Sequence, residues 1–199
     1  MKQSAVIRTN AIKDSVCSVH VHAVKFSTLW ASYPNTAHPY VDLANGKVPS
    51  GFENQCAIRV SLAIHGAGIE LKSFQGASVN VKGKKAAIRA EQLAVWLKKQ
   101  PFCGLPQKPE NITGKGWENK IKGRTGIVFF ANYWRRDGEA THATGDHIDL
   151  WNGSGLTPSA TKRLRRLGVS SIQWLPSFLG RLNFSDLVNS TEILFWEIQ

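Results

Sequence analysis

Cysteine is scarce in this chain, and the few cysteines argue against both a disulfide framework and a structural zinc site. Only Cys17, Cys56 and Cys103 occur in 199 residues, and an odd number at wide spacing is no disulfide framework. The sequence has no Cys-x-x-Cys, His-x-x-x-His or His-Glu-x-x-His pattern, so it gives no support for a structural zinc site. We therefore expect no disulfide framework and no structural metal site.

Long apolar runs are also missing. No segment approaches the roughly 20 apolar residues that a membrane-spanning helix needs, so we expect no membrane insertion. The start of the chain is interrupted by Arg8, Lys13 and Asp14, and it lacks the apolar segment and cleavage site of a secretory signal. If the protein acts outside the cytoplasm, it therefore needs a route of export other than general secretion.

Acidic residues are few compared with basic ones. The 25 Lys and Arg residues exceed the 14 Asp and Glu residues by a net charge of +11, which suits an anionic partner such as nucleic acid, an acidic membrane or a bacterial wall. The basic residues cluster at "KGKK" (82–85) and "KRLRR" (162–166), each interpreted most simply as a solvated face. Apolar residues make up 42% of the chain, enough for a core and against a disordered chain.

The order of the predicted elements indicates an α+β fold. Apolar residues recur at helical spacing in 26–34, 53–68 and 89–100, and 124–134, 147–151 and 191–198 have the pattern of strands. Helices that precede strands predict helices packed on an antiparallel sheet. Proline and glycine mark 35–53 as a loop. Residues 1–24 show no clear period, so we expect a leader of uncertain order there and a single domain over residues 25–199.

Cys56 points most directly to chemistry. It falls in the first turn of the predicted 53–68 helix, for which Asn54 is the expected N-cap. A thiol there lies near unpaired backbone N–H groups and the positive end of the helix dipole, and both favour the nucleophilic thiolate. The same N–H groups can stabilise an oxyanion. The alternative is a buried structural cysteine, a common state of free cysteine.

A thiolate nucleophile needs a base that becomes imidazolium, and six histidines are available. His65 is on the same helix, about 13 Å away at 1.5 Å per residue, which is out of reach. Four more fall in the leader, a loop or a polar hairpin: His20, His22, His38 and His142. His147 is predicted to open a strand, where a rigid scaffold would aim it at a fixed point. Its alternative is a half-exposed strand residue without a role.

Three segments, in chain order, resemble one family. "NQCAIRVSLAI" and "GDHIDLWNGS" are similar to the cysteine and histidine motifs of the type VI secretion amidase effector 4 family, and "FSTLWASYP" is similar to its first helix. A helix N-terminal Cys56 followed much later by His147 is also the order of papain-like wall hydrolases, which include the NlpC/P60 and CHAP enzymes. The likeness spans residues 26–154, and the rest of the chain resembles the family only loosely.

The resemblance implies a papain-like, NlpC/P60-type amidase that acts as an antibacterial toxin. Members cleave the amide between γ-D-glutamate and meso-diaminopimelate in peptidoglycan stem peptides, which makes them DL-endopeptidases. The implied partners are peptidoglycan, a cognate immunity protein and the type VI secretion apparatus. That apparatus would carry the toxin from the bacterial cytoplasm to the periplasm of a target cell. No metal, organic cofactor or nucleic acid is implied.

The resemblance assigns Cys56 as the nucleophile and His147 as its base, but the family's third residue is missing. The pattern places an Asp after the histidine strand, whereas residues 152–162 contain no acid and Pro158 stands about where the Asp is expected. Asp149 is one substitute, because residues i and i+2 of a strand share a face. Asn152 is another, because papain-like enzymes can use Asn in this role. We expect the orienting partner at Nδ1 of His147.

Two other functions fit parts of the same evidence. A phage-type cell-wall lysin would use similar chemistry in another setting. A non-catalytic basic module that binds the wall or nucleic acid would depend on the two basic clusters and would not need Cys56. No nucleic-acid-binding motif occurs and the aromatic residues lie mostly in core-like runs, which favours the cysteine amidase.

Overall fold

The computed structural model describes residues 2–8, 16–36, 38–134, 145–158 and 185–199. The helices in these ranges are α1 (Phe26–Ala31), α2 (Cys56–Gly66), α3 (Ala90–Leu97), α4 (Trp117–Lys120) and α5 (Ser185–Val188). The strands are β1 (Lys2–Arg8), β2 (Val16–His22), β3 (Ser78–Val81), β4 (Lys84–Ala87), β5 (Glu110–Asn111), β6 (Gly126–Trp134), β7 (Gly145–Trp151) and β8 (Glu192–Glu197). None of the helices described has the length and apolar character to cross a membrane.

A four-stranded antiparallel sheet forms the centre of the fold, with the strand order β5-β8-β6-β7. β6 lies inside the sheet and pairs with β7 on one side and with β8 on the other. Its run of apolar residues suits a strand that is covered on both faces. β7 stands at the end of the strand order, so the backbone groups on its outer side are available to other parts of the molecule.

Two hydrophobic cores lie on opposite faces of this sheet. Ile127 and Phe129 of β6 pack with residues of α1, α2 and α3, whereas Val128 and Phe130 pack with Trp117 of α4. The alternation follows from the two-residue period of a strand. Each large apolar side chain that is fully buried contributes roughly 1.5–3 kcal/mol, so both cores stabilise the sheet. The α+β fold with helices on an antiparallel sheet is the one predicted from the sequence.

The main elements lie where the sequence predicts them. The helices predicted at 26–34, 53–68 and 89–100 are α1, α2 and α3, and the three predicted strands are β6, β7 and β8. Five of these six elements are shorter than predicted, because side-chain periodicity does not mark where backbone pairing ends. β7 instead begins earlier, at Gly145. Residues 35–36 and 38–53 contain no helix or strand, in agreement with the predicted loop.

The basic cluster at 82–85 belongs to a hairpin that the sequence pattern did not predict. β3 and β4 pair across a turn at Lys82 and Gly83, whose φ angles are 50° and 83°. Two successive positive φ angles are typical of the tight turns that match the twist of a hairpin. Lys82, Gly83 and Lys84 are therefore exposed at and beside the turn, whereas Lys85 on β4 is half-buried and its ammonium group donates to the carbonyl oxygen of Phe74. The other basic cluster, at 162–166, lies outside the described residues, and so does His142.

The N-terminal segment contributes two strands, β1 and β2. β1 and β2 pair with each other in a two-stranded antiparallel sheet. The backbone N–H of Val24 donates to the carbonyl oxygen of Cys103 at 2.9 Å, and that of Phe26 donates to the carbonyl oxygen of Gln199 at 3.0 Å. The second bond joins the start of α1 to the far end of the chain. The bond of Val24 therefore joins the end of the predicted leader to the domain, and the boundaries of a leader over residues 1–24 and one domain over residues 25–199 stay a prediction.

Candidate active site

Cys56 is the first residue of α2, at the helix N-terminus that the sequence predicts. The residue before it is the buried Gln55, whose side chain reaches back to the preceding loop. Gln55 Nε2 donates to the carbonyl oxygens of Tyr40 at 2.7 Å and Phe52 at 3.0 Å, and Oε1 accepts from Tyr40 N–H at 2.9 Å. Gln55 occupies the N-cap position, so the prediction that Asn54 is the N-cap is wrong. These three bonds fix the loop against the turn that presents the thiol.

His147 lies on β7, next to an irregularity in the sheet. It is the third residue of the strand and not the first, so the prediction that it opens the strand is wrong. His147 pairs with Phe130 of β6, and the next pair is Trp134 with Gly145, so β6 carries two more residues than β7 in between. Such bulges re-aim side chains and often lie beside active sites. Sequence periodicity did not reveal the extra residues of β6 or the two residues that precede His147 on β7.

The irregularity itself is held by side chains. Asn132 has a φ angle of 51°, and its backbone N–H donates to Asp146 Oδ1 at 3.0 Å. Its amide Nδ2 donates to Thr191 Oγ1 at 3.0 Å. Positive φ is uncommon outside glycine, but asparagine adopts it more readily than most residues. Asn132 of β6 is therefore bonded both to Asp146, the residue before His147, and to Thr191, the residue before β8.

The thiol of Cys56 meets the imidazole of His147 and the backbone of β7. Cys56 shares a hydrogen bond with His147, and it accepts a second bond from the backbone N–H of Ile148. The amide of Ile148 can reach the thiol because β7 is the end strand of the sheet order. Burial by itself raises the pKa of Cys56. The hydrogen bond and charge of His147, with the Ile148 amide, outweigh burial and lower that pKa below its usual value.

His147 is almost fully enclosed, at 4% exposure. Burial lowers the pKa of an imidazole, but the Asp149 carboxylate, together with the hydrogen bond and charge of Cys56, outweighs burial and raises the pKa of His147 to about 9. The ring of Phe130 stacks against the imidazole, and that of Tyr133 meets it edge to face, both with centroids 6.2 Å away. Lowered thiol pKa and raised imidazole pKa together favour a thiolate–imidazolium ion pair.

Asp149 lies on the same side of β7 as His147. Its Oδ2 is 3.8 Å from His147 Nε2, a separation that makes an ion pair and is longer than a hydrogen bond. The carboxylate faces Nε2 and not Nδ1, where the orienting partner was expected. Asp149 is completely buried and accepts a bond from its neighbour Leu150 N–H at 2.8 Å. Two further groups that approach this carboxylate, Tyr33 and Thr157, were not singled out in the sequence.

The structure does not bring Asn152 to His147. Asn152 Oδ1 accepts hydrogen bonds from Ser154 N–H at 3.0 Å, Ser154 Oγ at 2.9 Å and Gly155 N–H at 2.9 Å. Its side chain therefore builds the turn after β7, which is the simple interpretation of the Asn-Gly sequence at this point. Of the two candidates for the third residue, Asp149 is the one beside the imidazole.

A cleft of about 1350 Å³ opens onto Cys56 and His147. Charged side chains that line it are more often acidic than basic: Glu53, Glu91, Asp146 and Glu192 against Arg89 and Lys98. Apolar parts of its wall come from α3 and β6, through Ala90, Ala94, Val95, Phe129 and Ala131. The net charge of +11 is therefore not concentrated at this cleft, whose wall carries charges of both signs.

A buried thiol at a helix N-terminus, hydrogen-bonded to an imidazole on an antiparallel strand, is the arrangement of a papain-like cysteine hydrolase. A family model described as type VI secretion system (T6SS), amidase effector protein 4, matches residues 52–196. The match covers well over half of the chain, and the chain therefore belongs to this family. The family predicted from the cysteine and histidine motifs is confirmed.

Solved structures share the fold. The effector–immunity system Tae4/Tai4 from Salmonella typhimurium is 18% identical with a TM-score of 0.59, and covers 89% of this chain and 100% of its own. The type VI effector Tae4 from Enterobacter cloacae is 20% identical with a TM-score of 0.56, and covers 90% of this chain and 99% of its own. Identities this low show the fold alone. A comparison with curated protein sequences gives no match.

The protein is thus a type VI secretion amidase effector, a peptidoglycan hydrolase that acts as an antibacterial toxin and is delivered into target cells. Its α+β, papain-like fold is the one that the resemblance implied. Membership of this family favours the amidase over the two alternatives, a phage-type lysin and a non-catalytic basic module.

Proposed function

We propose that Cys56, His147 and Asp149 are the catalytic residues and that they cleave the γ-D-glutamyl–meso-diaminopimelate amide of stem peptides. One observation carries the assignment: the Cys56 thiol at the head of α2 is hydrogen-bonded to His147, whose far nitrogen lies 3.8 Å from the Asp149 carboxylate. A nucleophile, its base and an orienting acid thus follow one another in contact.

The reaction has two halves. The Cys56 thiolate attacks the γ-carbonyl carbon of D-glutamate, and the backbone N–H groups at the head of α2 stabilise the oxyanion of the tetrahedral intermediate. The His147 imidazolium gives its proton to the diaminopimelate nitrogen as the C–N bond breaks, which leaves a thioester on Cys56. Neutral His147 then removes a proton from water. The hydroxide attacks the thioester, the γ-carboxyl group is released, and the thiolate–imidazolium pair is restored.

Each neighbour of the pair has a distinct part in these steps. The Ile148 N–H bond stabilises the thiolate before attack. The Asp149 carboxylate stabilises the imidazolium and fixes the ring, so that Nδ1 is left to face Cys56. Burial of all three side chains excludes water and strengthens the charge interactions among them. None of these steps needs a metal or an organic cofactor.

The cleft supports a peptide substrate with charges of both signs. Small-molecule pockets are commonly about 300–1,000 Å³, and a cleft of about 1350 Å³ leaves space for several residues of an extended stem peptide. A γ-linked D-glutamate keeps its α-carboxylate free, and meso-diaminopimelate adds carboxylate and amino groups. Arg89 and Lys98 supply positive charge for the carboxylates, and Asp146 and Glu192 supply negative charge for an ammonium group.

The site of action and the partners follow from the substrate and the family. Peptidoglycan lies in the periplasm, so the effector meets its substrate in the periplasm of the target cell after delivery by the type VI apparatus. Solved structures of the Salmonella typhimurium and Enterobacter cloacae relatives are effector–immunity complexes. We extend this to a cognate immunity protein that binds the present chain and protects the producing cell.

Mass spectrometry of muropeptides tests the bond. Purified Gram-negative sacculi are incubated with the wild-type protein, and the products should carry a new diaminopimelate amino terminus and a free γ-glutamyl carboxyl group. Cys103→Ala is the matched control for Cys56→Ala, because Cys103 carries the other free thiol among the described side chains. Cys103→Ala should give the wild-type products and Cys56→Ala none. Cleavage at any other bond would contradict the proposed substrate.

A further inference from the structure

We propose that Tyr33 and Thr157 are positioning residues, which fix the Asp149 carboxylate against His147 and so allow an acid on the histidine strand itself to orient the imidazole. The inference rests on the proposed catalytic roles of Cys56, His147 and Asp149. It explains how the chain can dispense with an acid in the segment after β7, where Pro158 stands in its place.

Thr157 lies within hydrogen-bonding distance of both oxygens of the Asp149 carboxylate. Its Oγ1 lies 2.9 Å from Asp149 Oδ1 and 3.0 Å from Oδ2, and its backbone N–H donates to Oδ2 at 3.2 Å. Thr157 is 1% exposed, so water does not compete for these bonds. Thr157 directly precedes Pro158, and the segment that should hold the missing acid therefore supplies hydrogen-bond donors to Asp149.

Tyr33 approaches from a separate part of the chain. It follows α1, and its backbone N–H donates to the carbonyl oxygen of Trp30 at 3.2 Å, which holds it at the helix end. Its hydroxyl is within hydrogen-bonding reach of both Asp149 and Thr157. Burial and the charge of Asp149 raise the pKa of Tyr33 well above its usual value, so the phenol remains protonated and donates to the carboxylate.

These donors matter because the contact between Asp149 and His147 is an ion pair without a direct hydrogen bond. At 3.8 Å between Nε2 and Oδ2, the attraction depends on where the carboxylate is held and weakens as the distance grows. The carboxylate of a residue two positions along a strand can rotate away about its own side-chain torsions. Donors from β7, from Thr157 and from the end of α1 remove that freedom.

Other charged and titratable groups around this network are left unchanged by the test. Cys56 of α2 and Asp149 face the imidazole, the Tyr133 ring packs against it, and Asp146 precedes it on β7. Arg59, buried on α2, adds positive charge near Tyr33. Tyr33→Phe and Thr157→Val each remove one hydroxyl and no charge, so a change in titration reports on the hydrogen bonds that hold the carboxylate.

The experiment compares Tyr33→Phe, Thr157→Val and Thr157→Ser with the wild type, in the full-length protein. Hydrolysis of a soluble stem peptide gives kcat and KM against pH, and iodoacetamide alkylation of Cys56 against pH needs no substrate. We expect Tyr33→Phe and Thr157→Val to lower kcat about tenfold with KM unchanged. The basic limb of the kcat–pH profile of these two variants should move below pH 9, and alkylation of Cys56 at acidic pH should slow. Thr157→Ser keeps the hydroxyl and should retain the wild-type profiles.

Two results would overturn the inference. One is a folded Tyr33→Phe and a folded Thr157→Val with the kcat and both pH profiles of the wild type. The other is a lower kcat with unshifted pH profiles and a lower Tm, which would mean a purely structural role. Tyr33→Phe is the milder change and keeps the test available if Thr157→Val does not fold. Failure of the wild type to cut the stem peptide would contradict the proposed function, while the alkylation profiles would still decide this inference.

Discussion

The thiol of Cys56 and the imidazole of His147 share a hydrogen bond across the junction between the head of α2 and the outer side of β7. The backbone N–H of Ile148 meets the same thiol from the same strand. One strand therefore supplies the proposed base, a hydrogen bond to the proposed nucleophile and, through Asp149, the proposed orienting carboxylate. The position of β7 against α2 sets all three interactions together.

The pH dependence of hydrolysis should differ from that of alkylation. The pKa of Cys56 is lowered and that of His147 is raised to about 9, so the ion pair exists between these two values. Hydrolysis should fall as pH rises through about 9, because the imidazolium that protonates the leaving amine is lost. Alkylation of the thiolate should not fall there. A basic limb of hydrolysis near the ordinary histidine pKa would contradict the raised value.

Asp149→Asn should reduce kcat by about tenfold to a hundredfold while KM changes little, because the change removes the charge that stabilises the imidazolium. The basic limb should move below about 9, since this carboxylate is one cause of the raised pKa of His147. Asn152→Ala is the matched control, because Asn152 is bound into the turn after β7. A larger loss of kcat in Asn152→Ala than in Asp149→Asn would assign the orienting role to Asn152 instead of Asp149.

Gln55→Ala should loosen the loop that precedes Cys56. The change removes hydrogen bonds to the backbone groups of Tyr40 and Phe52, at a cost of about 1–3 kcal/mol of unfolding free energy. KM should rise, because Phe52 lines the cleft. Denaturant unfolding and steady-state kinetics measure the two effects, and Asn54→Ala is the control for the unfolding measurement. Equal stability of the two variants would show that the Gln55 bonds do not hold the loop.

Gly126→Ala should destabilise the central sheet. A Cβ atom there would lie 2.0 Å from the carbonyl oxygen of Trp196, so β6 and β8 would have to separate, at a cost of about 2–4 kcal/mol. Gly155→Ala is the control, because a Cβ at that position meets no atom within 4 Å. Thermal unfolding compares the two, and a Gly126→Ala protein with the wild-type Tm would contradict the strand packing.

Much of the fold and the central pair of the site could be predicted, because both depend on local patterns. Helical periodicity places α2, and the position of Cys56 before that apolar pattern places the thiol at its head. The start of β7 was misjudged because Gly145 and Asp146 carry no strand signal and their pairing depends on a bulge in β6.

The support of Asp149 could not be predicted, because it depends on tertiary contacts. Tyr33 and Thr157 are common polar residues far apart in the sequence, and only the folded chain brings them to one carboxylate. Gln55 was overlooked for a similar reason, because its side chain serves a distant loop and not the helix that it precedes. The β3–β4 hairpin was not predicted, because the charge of its lysines suggested only a solvated face.

The most direct test of the account is to trap the acyl-enzyme. Wild-type protein mixed with a soluble stem peptide is quenched in acid within the first turnover, and mass spectrometry of the digested protein locates the acyl group. The account predicts a glutamyl thioester on the peptide that contains Cys56, and neither this adduct nor hydrolysis in Cys56→Ala. Hydrolysis of the stem peptide by Cys56→Ala at the wild-type rate would contradict the cysteine mechanism.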